Sequence, residues 1–294
     1  MIDTRLWGLD GLTASYLVAG TQPALVETGA QTSVPTLLSG LSAAGLGPLD
    51  LAWIVLTHVH LDHCGGVGDL VREFPKATVV VHERGAPHLT DPTRLVAGSA
   101  AVYGEHMPKY GGLTAVDEAR IMVVPDGGSI RLGGSRELRF IDAPGHARHQ
   151  MAVWDESTGT VMAGDALGVQ LSGGGMYPAI PPPEFDLDQA IDTLRRLAEL
   201  QPETLLLGHF GPVADPDEAI DLAIAQQSTA GEAAWSAWTT TGPDGIADAI
   251  NRALPIEEAV RDPGALERWA RLGWAENNIA GLSRWAKRRA STAE

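Results

Sequence analysis

The sequence predicts an α/β protein, and three features lead to this fold class. Short apolar runs typical of buried strands recur through most of the chain, as at 51–56, 78–82 and 205–207. Segments with apolar residues at helical spacing lie between them. Several runs are followed by histidine or aspartate, and strands that end at one sheet edge would bring those side chains together. We therefore expect strands covered by helices on both faces, with a polar site at one edge.

Predicted strands and helices alternate up to residue 82. In the first predicted helix, Leu37, Leu38 and Leu41 recur at helical spacing and form an apolar face. In chain order, the predicted elements are strands at 12–18 and 24–26, a helix at 35–44, a strand at 51–56, a helix at 67–74 and a strand at 78–82.

Residues 84–120 interrupt this alternation with a segment rich in glycine, proline, aromatic residues and histidine. A long insertion between strands usually carries function, because the scaffold does not require it. We interpret the segment as a partly helical flap that forms one wall of a substrate pocket, and packing at a subunit interface is the alternative. Its candidate substrate contacts are Tyr103, His106, Met107 and Tyr110.

Residues 171–183 form a second candidate wall. Their glycines allow close backbone approach, and their prolines fix the path of the chain. Met176 and Tyr177 are the candidate substrate contacts here, and a loop without contact to substrate is the alternative. A helix at 185–200 follows, with Asp186 as its predicted N-cap.

The composition changes after the last strand-like run. Residues 216–294 hold five of the eight tryptophans and no further run of that kind. Apolar spacing predicts helices at 216–238, 246–254 and 264–289. We therefore divide the chain into a catalytic domain, 1–214, and a helical C-terminal extension, 215–294. The extension would cover the catalytic domain, shape its pocket or support a homodimer.

The segment after the predicted strand at 51–56 is dense in metal-binding side chains. It reads Thr57-His58-Val59-His60-Leu61-Asp62-His63. Residues two apart in an extended chain point the same way, so His58 and His60 can bind one ion. Asp62 and His63 fall in the following turn and can be aimed at a second ion nearby. Imidazole together with carboxylate is a ligand set for zinc, iron or manganese.

This His-x-His-x-Asp-His pattern resembles the metal-binding signature of the metallo-β-lactamase superfamily. Pro144-Gly145-His146, Gly164-Asp165 and Gly208-His209 resemble that family's later motifs, in the expected order. The resemblance implies an αββα sandwich with two metal ions at the edge between its sheets. It implies this set of ligands: His58, His60 and His146 at one ion, Asp62, His63 and His209 at the other, and Asp165 shared by both.

Two residues near these motifs have open roles. The family usually carries Asp-Thr-Gly close to the metal centre where this chain has Glu27-Thr28-Gly29, and Glu27 is one methylene longer. His149 follows His146 by three residues and would either orient a metal ligand or hydrogen-bond to substrate.

The resemblance implies hydrolysis by a metal-bridged hydroxide. Two cations that share a water lower its pKa from ~15.7 towards ~7, and a cation also polarises a carbonyl group. Asp62 would orient the hydroxide, and Asp165 would hold the two ions at a fixed separation. Both residues are therefore assigned as catalytic. We expect two divalent metal ions, with zinc favoured and iron or manganese as alternatives. The favoured reaction cleaves an ester, thioester or lactone of a small molecule.

Other branches of the family remain open. Glyoxalase II thioesterases have the same ligands and a helical C-terminal extension, but their glutathione-binding pattern is not recognisable after Asp165. Persulfide dioxygenases use a single iron, which would be held here by His58, His146 and Asp165 and would make the chain an oxidoreductase. Acyl-homoserine lactonases carry a tyrosine shortly after the bridging aspartate, where this chain has Gly168. Metal identity would discriminate the hydrolase from the dioxygenase.

The charge and composition of the chain limit the kinds of partner that it is expected to bind. The 37 acidic and 21 basic residues give a formal net charge of −16, which disfavours nucleic acid because its phosphates would be repelled. The single cysteine, Cys64, excludes an internal disulfide framework. No apolar stretch is long enough to span a bilayer, and the first residues do not resemble a signal peptide. We therefore expect a cytoplasmic enzyme that acts on a small molecule without a membrane partner.

Overall fold

The computed structural model describes residues 1–170, 175–260, 262–272 and 274–292. Within these residues, two six-stranded sheets carry helices on their outer faces, which confirms the predicted αββα sandwich. The strands of the first sheet lie side by side in chain order. They are β1 (Ile2–Asp3), β2 (Ala14–Val18), β3 (Ala24–Val26), β4 (Trp53–Val55), β5 (Thr78–His82) and β6 (Ile121–Val124).

The second sheet is formed later in the chain, in the order β14-β13-β10-β9-β8-β7. Strands β10 and β13 are parallel, and the other neighbours are antiparallel. Its strands are β7 (Ser129–Gly133), β8 (Arg136–Asp142), β9 (Met151–Asp155), β10 (Thr160–Met162), β13 (Thr204–Leu207) and β14 (Gly211–Pro212). A separate ribbon pairs β11 (Val169–Gln170) with β12 (Met176–Tyr177).

The two sheets face each other across an apolar layer. Val26, Val55 and Val80 contribute to it from the first sheet, and Phe140 and Val153 contribute from the second. These side chains are almost fully removed from water, so their burial contributes to holding the sheets together.

Helices cover the outer face of the first sheet. Leu37 and Leu70 of these helices pack with Ile54 and Val79 of the strands in one buried cluster. The helices of this part of the chain are α1 (Val34–Ala43), α2 (Leu61–Cys64), α3 (Val67–Glu73), α4 (Ala86–Thr90), α5 (Thr93–Tyr103) and α6 (Met107–Tyr110).

The helices described in the remaining chain are α7 (Leu187–Glu199), α8 (Pro216–Thr240), α9 (Ile246–Ala253), α10 (Ile256–Ala259), α11 (Pro263–Leu272) and α12 (Trp274–Thr292). Helices α7 and α8 cover the second sheet, α9 and α12 pack with them, and α10 and α11 pack against the cluster of the first sheet. Leu194 of α7 and Ile220 of α8 pack in one cluster with Leu205 of β13. Helix α8 therefore shares a core with the sandwich, and the division at residue 215 remains a prediction.

The sequence predictions match most of these elements and miss some. Asp186 caps α7 as predicted, and its carboxylate accepts a hydrogen bond from the Gln189 amide. The helix predicted at 264–289 corresponds to α11 and α12, which lie on either side of residue 273, a position outside the described residues. The predicted elements do not include β6, β7 and β9, and in β7 polar residues alternate with the apolar ones.

Among the helices in the described part of the chain, none combines the length and the apolar character needed to cross a membrane.

Candidate metal centre and substrate cavity

The predicted ligands lie where strands end at one edge of the sandwich. His58 and His60 follow β4, and α2 carries Asp62 and His63. The three later ligands come from the second sheet, where parallel strands point their carboxyl ends the same way. They are His146 after β8, Asp165 after β10 and His209 after β13.

The first cluster consists of His58, His60 and His146. One ring nitrogen from each lies within 4.8 Å of the others. His60 Nδ1 is 3.0 Å from His146 Nε2, while the His58 ring lies edge-on to both neighbours. These side chains form a three-nitrogen group that could hold a metal ion.

The second cluster consists of Asp62, His63 and His209, and its ligand atoms also lie within 4.8 Å of one another. His63 Nε2 is 3.2 Å from His209 Nε2, and His209 Nε2 is 3.2 Å from Asp62 Oδ2. All three side chains are buried. This group provides two nitrogens and one carboxylate.

Asp165 lies between the two clusters. Its Oδ2 is 3.7 Å from His146 Nε2 of the first cluster and 3.6 Å from His209 Nε2 of the second. Its Oδ1 is 3.4 Å from His63 Nε2. A single carboxylate therefore contacts both sets of imidazoles, as a residue shared by two ions would.

The donor atoms fit a metal ion at each cluster. Two nitrogens on a tetrahedral zinc, with Zn–N bonds of ~2.05 Å, lie about 3.3 Å apart. The nitrogen separations of 3.0 and 3.2 Å are close to that value. His58 Nε2 and Asp165 Oδ1 are buried and have no hydrogen-bond partner among the described residues. Buried polar atoms are rarely left unpaired, and ligation by a cation would satisfy both.

The electrostatics of the two clusters differ. Burial, together with neighbouring imidazoles, lowers the pKa of His58 well below its usual range, and it lowers the pKa of His60 to about 3. Both rings are neutral at pH 7 and present lone pairs for a cation. Burial also acts to lower the pKa of His63, but Asp165, Asp62 and Glu27 outweigh it and raise that pKa well above its usual range. The second cluster is therefore rich in negative charge and attracts a cation.

Backbone carbonyl groups orient two of the imidazoles. His146 Nδ1–H donates to the Ala179 carbonyl over 2.9 Å, and His209 Nδ1–H donates to the Leu12 carbonyl over 2.9 Å. Each bond fixes a tautomer with Nε2 free to bind a metal.

The Glu27 side chain is connected to one ligand of each cluster. Its Oε2 is 3.5 Å from His63 Nδ1, and its Oε1 accepts a hydrogen bond from the Thr57 hydroxyl. The same hydroxyl is 3.0 Å from His58 Nδ1. Glu27 is buried in a left-handed backbone conformation, with φ +68°. The longer side chain therefore reaches ligands of both clusters.

Gly208 lets the second sheet pass directly behind His63. A Cβ atom at this position would lie 2.5 Å from His63 Cε1, which is too close for any other residue. The position before His209 must therefore be glycine for both histidines to belong to one cluster.

Cys64 and His149 lie beside the centre. Cys64 is fully buried, and its thiol donates to the Val59 carbonyl over 3.2 Å. Burial raises the pKa of this thiol well above its usual range, so it is a packing residue. His149 Nδ1 accepts a hydrogen bond from the Val59 amide, and its Nε2 is 3.8 Å from Glu184 Oε2.

A cavity of about 430 Å³ opens onto the metal centre. His60, Asp62, His146 and Asp165 line its inner end. Its walls are mainly apolar and come from three parts of the chain: α5, the proline segment 181–183 and α12. Tyr103 of α5 is the aromatic residue of this wall, and its hydroxyl is 3.4 Å from Asp62 Oδ1.

The remaining predicted substrate contacts do not fit this cavity. Tyr110 is buried and stacks on the far face of Tyr103, with ring centroids 3.9 Å apart. The His106 ring lies 5.2 Å from that of Trp7, and Met107 packs against the core beside the first sheet. These three residues do not line the cavity because they hold the flap against the body of the protein.

The candidate contacts of the second predicted wall also lie outside this cavity. Met176 and Tyr177 are buried in β12, and the Tyr177 hydroxyl donates to the Leu254 carbonyl over 3.0 Å. They are not among the cavity residues, because the ribbon turns them towards the helical extension. The first part of the predicted loop, 171–174, lies outside the described residues.

Residues of α12 were missed by sequence analysis. Asn277 and Arg284 line the cavity. Buried Asn278 donates its side-chain amide to the Pro178 carbonyl over 2.8 Å and accepts from the Ile180 amide over 2.8 Å. These polar residues lie within a helix that the pattern assigned to packing, and only the fold brings it to the metal centre.

An αββα sandwich with a buried His/Asp centre at its edge defines a class of metal-binding enzymes and related proteins. A family model described as the metallo-beta-lactamase superfamily matches residues 8–209. The chain therefore belongs to the metallo-β-lactamase superfamily, which consists mostly of metal-dependent hydrolases.

Similar proteins agree with this assignment. ST1585 of Sulfurisphaera tokodaii, a metallo-beta-lactamase fold-containing protein, is 34% identical over 168 residues, which are 56% of this chain and 62% of that protein. The crystal structure of the archaeal ST1585 superposes with a TM-score of 0.70 at 25% identity, over 92% of each chain.

Some relatives have names that state an activity. The probable metallo-hydrolase YflN of Bacillus subtilis is 23% identical over 237 residues, which are 73% of this chain and 88% of that protein. The atrochrysone carboxyl ACP thioesterase of Aspergillus fumigatus is 25% identical over 166 residues, which are 56% of this chain and 31% of that enzyme.

Proposed function

We propose that this protein is a binuclear metal-dependent hydrolase that cleaves an ester, thioester or lactone of a small molecule. The observation that carries the proposal is the pair of ligand clusters that share Asp165 at the inner end of an apolar cavity. Such a cavity accommodates an acyl chain or ring, and the clusters lie where its carbonyl group would reach.

Two divalent cations, held by the first and second clusters, would supply hydroxide at neutral pH and would polarise the substrate carbonyl. Asp165, which contacts both clusters, would hold them at a fixed distance from each other. Asp62 would present its carboxylate to the nucleophile from the second cluster. Zinc is the favoured metal, since neutral imidazoles and carboxylates form both clusters, while iron and manganese accept the same donors.

Tyr103 would assist the reaction from the cavity wall. Burial, and the nearby Asp62 carboxylate, raise the pKa of its phenol well above the usual value, so it stays protonated at neutral pH. Its hydroxyl could then donate a hydrogen bond to a carbonyl oxygen that gains negative charge, in a site where such bonds are strong.

The comparisons support the reaction class. A probable metallo-hydrolase and a thioesterase are among the relatives of this chain. They support hydrolysis in general and leave the substrate as a proposal.

Metal content and activity should be measured on the same preparation. We expect about two equivalents of zinc per chain by elemental analysis, and zinc-dependent turnover of at least one compound in a panel of esters, thioesters and lactones. An Asp165→Asn variant should lose most of this turnover. The outcome against the proposal is about one equivalent of iron, with oxygen uptake on glutathione persulfide, which would identify the dioxygenase-like oxidoreductase instead.

A further inference from the structure

Four arginines surround the entrance to the metal centre. Arg94 of α5 and Arg284 of α12 line the apolar cavity. A second, polar cavity of about 480 Å³ adjoins it, shares His88, His149 and Glu184 with it, and is lined by Arg84 and Arg148. We call Arg84, Arg94, Arg148 and Arg284 the arginine rim.

The rim arginines differ from other arginines of the chain in their partners. Among the described residues, no carboxylate lies within 4 Å of a rim guanidinium group. Elsewhere the guanidinium groups often pair with acids, as in Arg136 with Asp155 at 2.5 Å and Arg196 with Asp126 at 2.7 Å. The rim guanidinium groups therefore keep their charge available for a ligand.

The balance of charge around the entrance is opposite to that of the whole chain. The chain has a formal net charge of −16. Apart from the proposed ligands, Glu184 is the acidic residue among those lining the two cavities. Its Oε2 accepts a hydrogen bond from the Arg148 backbone amide over 3.2 Å and faces His149. A basic entrance in an acidic protein attracts anions towards the cavity.

From this arrangement we infer that the substrate carries an anionic group, a carboxylate or a phosphate, in addition to the bond that is cleaved. The inference rests on the proposed hydrolase function and specifies its substrate class. The apolar part of the substrate would lie against Leu95, Val102 and the proline segment 181–183. The anionic group would bind at the rim, since the guanidinium fork matches both carboxylate and phosphate oxygens.

A pair of matched substrates tests whether the anionic group is a carboxylate. Mono-4-nitrophenyl adipate carries a carboxylate where its methyl ester carries an uncharged CO2CH3 group. We expect the zinc-loaded enzyme to hydrolyse the anionic ester with at least tenfold higher kcat/KM, and this preference should decrease as sodium chloride is raised. An Arg94→Gln/Arg284→Gln double variant should lose the preference, so that the ratio of kcat/KM for the two esters falls towards one. Arg195→Gln, an exposed arginine on α7, is the control.

A second pair of substrates, acetyl-coenzyme A and S-acetyl-N-acetylcysteamine, tests in the same way whether the anionic group is a phosphate. They share the thioester, and only the first carries phosphates. A preference for acetyl-coenzyme A that disappears in an Arg84→Gln/Arg148→Gln variant assigns the anionic group to phosphate. Equal kcat/KM within both substrate pairs, unchanged by either double variant, would overturn the inference.

Direct binding separates this inference from the proposed function. If none of the four compounds is hydrolysed, calorimetry with adipate and dimethyl adipate still tests the rim. We expect adipate to bind about tenfold more weakly to each double variant than to the zinc-loaded wild type, while its affinity for Arg195→Gln stays unchanged. Equal adipate affinity in the wild type and both double variants would refute the arginine rim as an anion site.

Discussion

At the scale of single residues, the centre depends on side chains that hold the proposed ligands. Glu27 contacts His63 directly and reaches His58 through the Thr57 hydroxyl. Tyr103 contacts Asp62 from the cavity side. These three contacts connect ligands to groups outside the two clusters, and such groups fix the orientation and basicity of a ligand.

We predict that Glu27→Gln weakens metal binding by about 10–100-fold, because the amide keeps the size of the side chain but removes the charge beside His63. Zinc affinity in competition with a chromophoric chelator measures the effect. Glu199→Gln on the exposed face of α7 should leave the affinity unchanged. An unaltered zinc affinity in Glu27→Gln would show that this carboxylate only packs behind the site.

Tyr103→Phe should lower kcat/KM roughly tenfold or more, since a hydrogen bond to a charged group contributes about 1.5–3 kcal/mol. The phenol pKa is raised far above neutral, so the hydroxyl is protonated throughout pH 6–9 and its contribution does not titrate there. The ratio of wild-type to variant kcat/KM should therefore be constant across that range. A ratio near one, or one that changes with pH, contradicts the assigned role.

At the scale of elements, the C-terminal helix α12 reaches the metal centre through a short loop. Asn278 hydrogen-bonds to the backbone of Pro178 and Ile180, which flank the carbonyl that orients His146. A Cβ atom at Gly281 would lie 2.0 Å from the Ile180 carbonyl oxygen, so α12 packs directly on this loop. The helix therefore fixes the position of one metal ligand.

Asn278→Ala should weaken zinc binding by about tenfold. Without the Asn278 hydrogen bonds, the loop no longer holds the Ala179 carbonyl in place, and His146 loses its fixed orientation. A titration of the metal-free protein with zinc provides the readout, independently of turnover. Lys287→Ala, an exposed position on the same helix, is the control. If Asn278→Ala lowers thermal stability but binds zinc like the wild type, α12 supports the fold and not the metal centre.

At the scale of the whole molecule, the centre connects the two sheets. His58, His60 and His63 come from the end of β4, while His146 and His209 come from the second sheet. A cation in either cluster would therefore join the two halves of the sandwich, so metal binding and folding are coupled.

Removal of metal should destabilise the protein. A ligand present at 1,000 times its Kd stabilises the folded state by about 4 kcal/mol, which corresponds to a Tm shift of roughly 10 °C for a domain of this size. Thermal unfolding with and without a chelator, followed by readdition of zinc, measures the shift. The coupling would be disproved by an unchanged Tm in protein whose metal loss has been verified by elemental analysis.

The sequence by itself predicted the fold class, and its resemblance to the metallo-β-lactamase superfamily implied which ligands group together. Strands are apolar runs, and a residue that follows a strand lies at the sheet edge, so the positions of His58, Asp165 and His209 agree with the local pattern of the chain. The helix at 187–199 and its cap were likewise predicted from local pattern and capping chemistry.

The tertiary structure alone decided which residues surround the substrate. Met176 and Tyr177 follow the bridging aspartate closely in sequence but are buried against the extension, whereas Asn277 and Arg284 are distant in sequence and line the cavity. Proximity along a chain does not determine the direction in which a loop runs. The spacing of apolar residues in α12 likewise does not indicate which part of the protein its polar face contacts. The ligand positions were implied by motifs at the ends of strands that resemble those of the family, whereas a cavity wall depends on how distant elements pack together.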